Sequence, residues 1–391
     1  MMNEEKPGED GHADDIFQVD SYEAPMPSQA KGDFLPWHRP RKQYVRHHQW
    51  CHEVAKLLKD KPPSEGTLKY LGLPGVDLLD LRHFHSAVCV EHGVKLRFLG
   101  FNTSARPRSD AQTELNVSLD EVKRLDNVDP LSDMIGDNFA LVANQASIAF
   151  RRTRELGPYD VINLDLCDGF GAQEPGALAN SYYDAVSSLL ALQARGANPW
   201  LLFLTTRADK ANVNEKVLQA LINKYCANLE ECASFKDASR EHFAIETRDA
   251  VAQAVGEPGG LLHVFLTGLC KWFVAMALEH QPPTSVEVRS VFGYRVDKGS
   301  EHEDLVSLAL RFTPTFAPAG DPVGLATQPA AKPDEGALAT KALRRVAKRI
   351  DADRKLLEDA ALMQSMTEAT AYLLGLARYD VEKYKAWAAA A

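Results

Sequence analysis

Carboxylates and cations stand in this sequence where apolar runs end. In YDVINLDLCDGFG (residues 159–171) an apolar run closes on Asp165 and Asp168, with Gly169 and Gly171 beside them. Two carboxylates in that place can take a proton from an amine or hydroxyl, or hold a divalent metal for a nuclease or phosphohydrolase. The same residues also suit a plain turn, with Asp165 as its cap and Asp168-Gly169 as an ordinary turn pair. Arg82, His83, His85, Asn102, Thr205 and Arg207 close other apolar runs. In open α/β sheets, ligands bind just outside the carboxyl ends of the strands. Earlier in the chain, His48, Cys51 and His52 share one helical face at i, i+3 and i+4. A structural metal site takes four such donors. No fourth stands out, so a packed amphipathic helix is the simpler reading.

The elements that must position these groups read as α/β. Residues 160–166 are apolar apart from Asn163 and Asp165, which suits a central strand of a parallel sheet covered on both faces. Residues 76–81 (VDLLDL) predict a first strand that runs into Arg82-His83-Phe84-His85. A short helix through Cys89 ends at Gly93, and residues 94–101 predict a second strand ending at Asn102. Residues 76–102 thus form a βαβ unit. A short helix follows the cap Ser118. A long helix spans 133–156 and ends in Arg151, Arg152 and Arg154, which complement its dipole. Further helices are predicted over 181–194, twice within 212–255, and over the very apolar 260–279, with a strand at 200–205 between the first two. Two alternating runs, 286–296 and 305–312, give a closing β-hairpin.

The chain has 391 residues and 45% hydrophobic content, enough for one large α/β domain with additions. A net charge of −10 excludes a polycation. Residues 1–30 are acidic and read as a disordered tail. Residues 31–65 form a basic, aromatic arm and helix, where Arg39, Arg41, Lys42 and Arg46, with Trp37, Tyr44 and Trp50, form a candidate nucleic-acid contact. Residues 66–313 make the main domain and 314–336 a Pro/Ala/Gly linker. Residues 337–391 read as two helices, the second opening at Ser365 with Glu368 as a capping box. Two helices cannot enclose a core, so they are expected to pack on the main domain or on a protein partner. Six scattered cysteines without a CxxC pair predict reduced thiols in a cytoplasmic protein. No secretory leader and no bilayer-length apolar run is read, so no membrane role is expected.

The order β-α-β, helix, β-α-β, helices, terminal hairpin resembles the class I S-adenosylmethionine-dependent methyltransferases over residues 66–313. Asn163-Leu164-Asp165-Leu166-Cys167-Asp168-Gly169-Phe170 stands where that family has its motif after the fourth strand. It looks most like the D-P-[YF]-G variety of some RNA methyltransferases and of methyltransferase-like partner proteins in bacterial gene cassettes. Leu166-Cys167 replaces the usual Pro and aromatic residue. Asp80-Leu81-Arg82-His83-Phe84-His85 falls at the family's glycine-rich loop and has no glycine. Asn102 stands in place of the acid that holds the ribose hydroxyls.

The resemblance implies a Rossmann-like sheet, mostly parallel with a terminal antiparallel hairpin, plus helical N- and C-terminal additions. It implies S-adenosylmethionine as cofactor, with Asp80, Arg82, Asn102 and Asn163 as cofactor-binding candidates. Asp165 would sit beneath the transferring methyl group, and Asp168 would accept a proton. The helix start at Ser181 with Tyr182-Tyr183 would line the acceptor pocket. The function implied is methylation of nucleic acid or a nucleotide, in a bacterial defence or modification system. The alternative is a catalytically inactive methyltransferase-like scaffold in a multiprotein complex, with the terminal helices 337–391 as its interaction elements.

Overall fold

A computed structural model describes residues 30–107, 111–166, 169–173, 180–296, 300, 302–316 and 332–390. Asp168, the predicted acidic tail apart from Ala30, and residues 317–331 of the predicted linker lie outside the described residues.

Eight strands form one sheet: β1 Thr67–Gly72, β2 Lys95–Phe101, β3 Asp133–Ile135, β4 Val161–Asp165, β5 Trp200–Arg207, β6 Thr284–Tyr294, β7 Leu305–Pro314 and β8 Ile350–Asp351. Their spatial order is β3-β2-β1-β4-β5-β7-β6-β8. The first five are mutually parallel. β7 runs antiparallel to both β5 and β6. This is a doubly wound order with one antiparallel strand slotted in before the sixth. It is the Rossmann-like, methyltransferase-type sheet that the resemblance implied.

Alternation along the strands builds two cores. On one face, Ile162, Leu164, Leu202 and Leu204 pack with the helix Tyr182–Gln193 and with Leu262, Phe265 and Phe273 of the helix Pro258–Leu278. On the other, Leu68, Tyr70, Val161 and Phe203 pack with Val45, Trp50, Val54 and Leu57 of the N-terminal helices and with Phe84 and Val88. Each fully buried side chain of this size contributes about 1.5–3 kcal/mol. The helix predicted over the very apolar 260–279 is Pro258–Leu278; it is long and apolar enough to cross a membrane by length and composition, where no bilayer-length run was expected. In the fold it is a core helix.

Several expectations are corrected. The first strand is 67–72, not 76–81. Leu73-Pro74-Gly75 leave β1, a turn over Gly75–Leu78 follows, Leu78 adopts a left-handed conformation (φ 52°), and a helix starts at Leu79. Leu78, Leu81, Phe84 and Val88 recur at helical spacing and share one core, which is why VDLLDL cannot lie as a strand. The predicted long helix over 133–156 is β3, a 3₁₀ segment Phe139–Ala143 and a helix Ile148–Leu156. Asn138 and Ser147 accept backbone N–H bonds at the two helix starts and divide the run. Ser118 is buried inside the helix Gln112–Lys123 and caps nothing. Three helices, not two, fill 212–255.

Residues 335–389 hold four helices, not two, and Ser365 lies within the third, which Asp359 caps. These helices pack on the sheet: Ala342 and Val346 enter the first core, and Leu356 and Met366 the second. The two ends of the described chain meet, because Lys31 exchanges backbone hydrogen bonds with Arg378 and Asp380.

Candidate functional site

The chain leaves β1 for β2 and β3 on one side and returns to β4 on the other. Loops diverge at such a switch point and leave a crevice above the strand ends. Here it is a cleft of about 800 Å³, within the usual range for small-molecule sites. Residues 73–79 form one wall, Phe101–Thr103 and Asp137–Phe139 another, and Asp165, Arg207 and Tyr294 a third. Lys42 and Arg46 reach in from the N-terminal helices, and Leu35, Trp37 and Tyr379 line it as well.

With β1 correctly placed, the loop after it does carry glycine. Gly72 and Gly75 differ in role. A Cβ on Gly72 would stand 2.6 Å from the Tyr70 ring, so Gly72 is there for packing. A Cβ on Gly75 would meet nothing within 4 Å, and Gly75 lines the cleft. Asn102 ties the loop down: its Nδ2 donates to the Pro74 carbonyl (2.8 Å) and its Oδ1 accepts from Ser104 N–H (2.8 Å).

Of the acids that line the cleft, Asp77, Asp80 and Asp165 each pair with a cation. Lys42 Nζ donates to Asp165 at 2.6 Å, with the Tyr294 hydroxyl at 3.4 Å and the Trp50 ring at 4.8 Å. Arg46 Nε donates to Asp80 at 2.6 Å. Lys31 Nζ donates to Asp77 at 2.7 Å, and Tyr379 Oη donates to the same carboxylate at 2.9 Å. Lys42 and Arg46 are only 3% and 4% exposed. Burial alone would favour neutral Lys42, but Asp165, then Tyr294 and Asp80, more than offset it and hold the ammonium above its ordinary value.

The residues singled out from sequence separate accordingly. Asp80, Asn102 and Asp165 share the cleft. Asn163 is buried in β4, in register with Gly72 and beneath the cleft wall. Arg82 braces the outer side, donating to the Asp77 carbonyl (3.0 Å) and to Glu121 (2.5 Å). Tyr182 lines the cleft. Tyr183 packs instead against Phe170 and Trp272, and burial pushes its phenol up. Asp168 lies outside the described residues.

The four basic residues of the arm are engaged within the chain. Besides the Lys42 and Arg46 pairs, Arg39 stacks on Trp387 at 3.5 Å, and Arg41 pairs with Asp353 and donates to the Arg295 carbonyl. Among the described residues, no three His, Cys, Asp or Glu side chains gather as metal ligands.

Sequence reasoning missed Gly75, Asp77 and Tyr294 as cleft residues, and missed the inward direction of Lys42 and Arg46. The sequence held no signal for the last two, because their stripe has the composition of a solvated face. Lys42, Arg46, Gln49 and Glu53 lie at i, i+4, i+7 and i+11, and all are buried. Gln49 donates to the Ser307 carbonyl (2.9 Å), and Glu53 accepts from Arg289 (3.1 Å). That polar stripe is the inner face of the helix.

The profile of the PP_RS20740-like family matches residues 31–389, and the chain belongs to that family. No curated protein matches the sequence. Among solved structures, one match is a Listeria monocytogenes protein provisionally assigned as a class I S-adenosylmethionine-dependent methyltransferase. The identity is 12%, over 78% of this chain and 72% of that one, with a TM-score of 0.34. At that score the likeness carries no argument about the site.

Proposed function

We propose that this member of the PP_RS20740-like family binds S-adenosylmethionine in the cleft above β1, β2 and β4, and methylates nucleic acid or a nucleotide. The observation that carries the reading is the loop 73–78, held open over the strand ends by the Asn102 bond to Pro74, with acids on both sides. The groups present fit the cofactor. Carboxylates suit its cationic sulfonium and ammonium, buried cations suit its carboxylate, and the apolar walls at Phe101 and Phe139 suit its base, with Asp137 and Asn138 at hand. When bound, the cofactor would supply an electrophilic methyl group.

The chain's own residues would position and screen. Asn102 fixes the loop and so the width of the cleft. Lys42 occupies Asp165 as a charge-assisted donor, so Asp165 orients and stabilises charge and is not a free base. Methyl transfer depends chiefly on alignment, which such a fixed carboxylate can serve. Trp37, 48% exposed at the cleft, offers a flat face on which an acceptor base can stack.

Calorimetric titration with S-adenosylmethionine tests the reading, using wild type and Gly75→Val. Since a side chain at Gly75 enters open cleft space, the variant should fold normally and bind at least tenfold more weakly. Saturable binding blocked in this variant supports the reading. The scaffold reading is favoured by one observation, that the acids at the strand ends are already paired with cations. Folded wild type that gives no heat at millimolar ligand would establish that alternative and remove the enzyme.

A further inference from the structure

Within the cleft, Arg46 differs from the other cations. It is 4% exposed, its Nε is bound to Asp80, and among the described residues its buried Nη1 has no hydrogen-bond partner. A guanidinium carries five donors, and a buried donor left unmade is costly. Lys42, one turn earlier on the same helix, is satisfied by Asp165 and Tyr294.

Around the cleft three acids are paired with cations: Asp77 with Lys31, Asp80 with Arg46, and Asp165 with Lys42. Such a set of compensated pairs is matched to a zwitterion. It offers an acid to an ammonium and a cation to a carboxylate within one short reach, and it asks for no net change in charge. A simple anion would face the acids Asp77, Asp80, Asp137 and Asp165, and a simple cation the bases Lys42, Arg46 and Arg207.

We propose that Arg46 is the carboxylate-binding residue of an amino-acid subsite: its unpaired guanidinium edge takes the α-carboxylate of the ligand's methionyl end, while Asp77 and Asp80 face the α-ammonium. The inference rests on the cofactor reading above and assigns its specificity to a helix that lies outside the main domain in sequence. Arg46 acts here as a binding residue with no part in bond making.

The test compares S-adenosylmethionine with decarboxylated S-adenosylmethionine, which keeps sulfonium and amine but lacks the carboxylate. Both are titrated calorimetrically into the full chain, as wild type, Arg46→Gln and Arg46→Gln/Asp80→Asn. The double variant guards against misfolding, since it leaves no buried charge unpaired. The expected result is at least a tenfold preference of wild type for the carboxylated ligand, falling to less than threefold in whichever variant is folded; affinity for the decarboxylated ligand changes little in Arg46→Gln and falls in the double variant, which also loses the Asp80 carboxylate. Equal affinities in wild type would overturn the subsite and leave the cofactor reading standing. A preference that survives both substitutions would also overturn it. Failure of both ligands to bind folded wild type would overturn the subsite and the cofactor reading together.

Discussion

Asp80 and Asp165 face each other across the switch point, and each is met by a cation from the same helix, four residues apart. The two pairs are not equivalent. Asp165 retains 25% of its side-chain exposure, and its lysine has a second oxygen and an aromatic face nearby. Asp80 is 8% exposed, and its arginine keeps one donor unmade. A buried pair is weak evidence for stability, because desolvation offsets the attraction. Among the described residues the two cations differ in this: Arg46 Nη1 is buried without a partner, while Lys42 has Asp165 and Tyr294 within reach. On the β4 side Lys42 meets two oxygens; on the β1 side Arg46 keeps the unmet nitrogen on which the proposed subsite rests.

The largest effect that would break this comparison is at Arg46. Arg46→Met strands the Asp80 charge and should cost about 3–5 kcal/mol in urea unfolding. Lys42→Met should cost about 2 kcal/mol, because water can reach Asp165. Equal losses would show that the two pairs do the same work.

Gly72 at the end of β1 and Gly75 in the loop after it sharpen the contrast next. Gly72→Ala drives a methyl group toward the Tyr70 ring and should lose about 1–3 kcal/mol. Gly75→Ala should stay within about 0.5 kcal/mol of wild type. Thermal melts of the two variants check this, and a reversed order would show that the loop is held differently.

Titration distinguishes the histidines beside Arg46 from the lysine on the β4 side. Burial, then Arg46 and His47, lowers His83 to about 3, and burial lowers His38 to about 4. A depressed folded value means the stability these residues give is full above the free histidine value of about 6.5 and is lost as pH falls through the folded values. Lys42 is shifted upward, so its contribution is full below about 10.4 and fades only above it. The urea midpoint should therefore fall between about pH 6.5 and 4, with a shallower fall in His83→Gln. An unchanged slope in that variant would remove His83 from the acid limb.

The smallest expected effect is at Trp37. Trp37→Ala should leave stability unchanged and weaken binding of a single-stranded oligonucleotide about five- to tenfold, read by fluorescence anisotropy. No loss would take the acceptor's stacking face away from the cleft mouth.

Much of the scaffold was legible in the sequence. The apolar run at 160–166, the alternating pair 286–296 and 305–312, the helix end at Gly93 and the helix start at Ser181 led to real elements because each signal is local. Asn102 and Asp165 were found because they end strands that were correctly placed. The β1 loop was missed because Thr67–Gly72 is short and precedes a stronger apolar run, VDLLDL, whose helical spacing shows only when Phe84 and Val88 are counted with it.

What the sequence by itself determined is therefore the layering: which runs are buried, where they stop, and that a mostly parallel sheet closes with an antiparallel hairpin. Periodicity and turn chemistry are properties of neighbouring residues, and they survive any arrangement of the rest. Only the tertiary structure decided the direction of the basic arm. Lys42, Arg46, Gln49 and Glu53 form a polar stripe that, by composition, is the solvated face of a helix. It turns inward because Asp165, Asp80, Ser307 and Arg289, from distant parts of the chain, satisfy it there. A buried charge is tolerated only with its partner in place, and that partner is fixed by the fold.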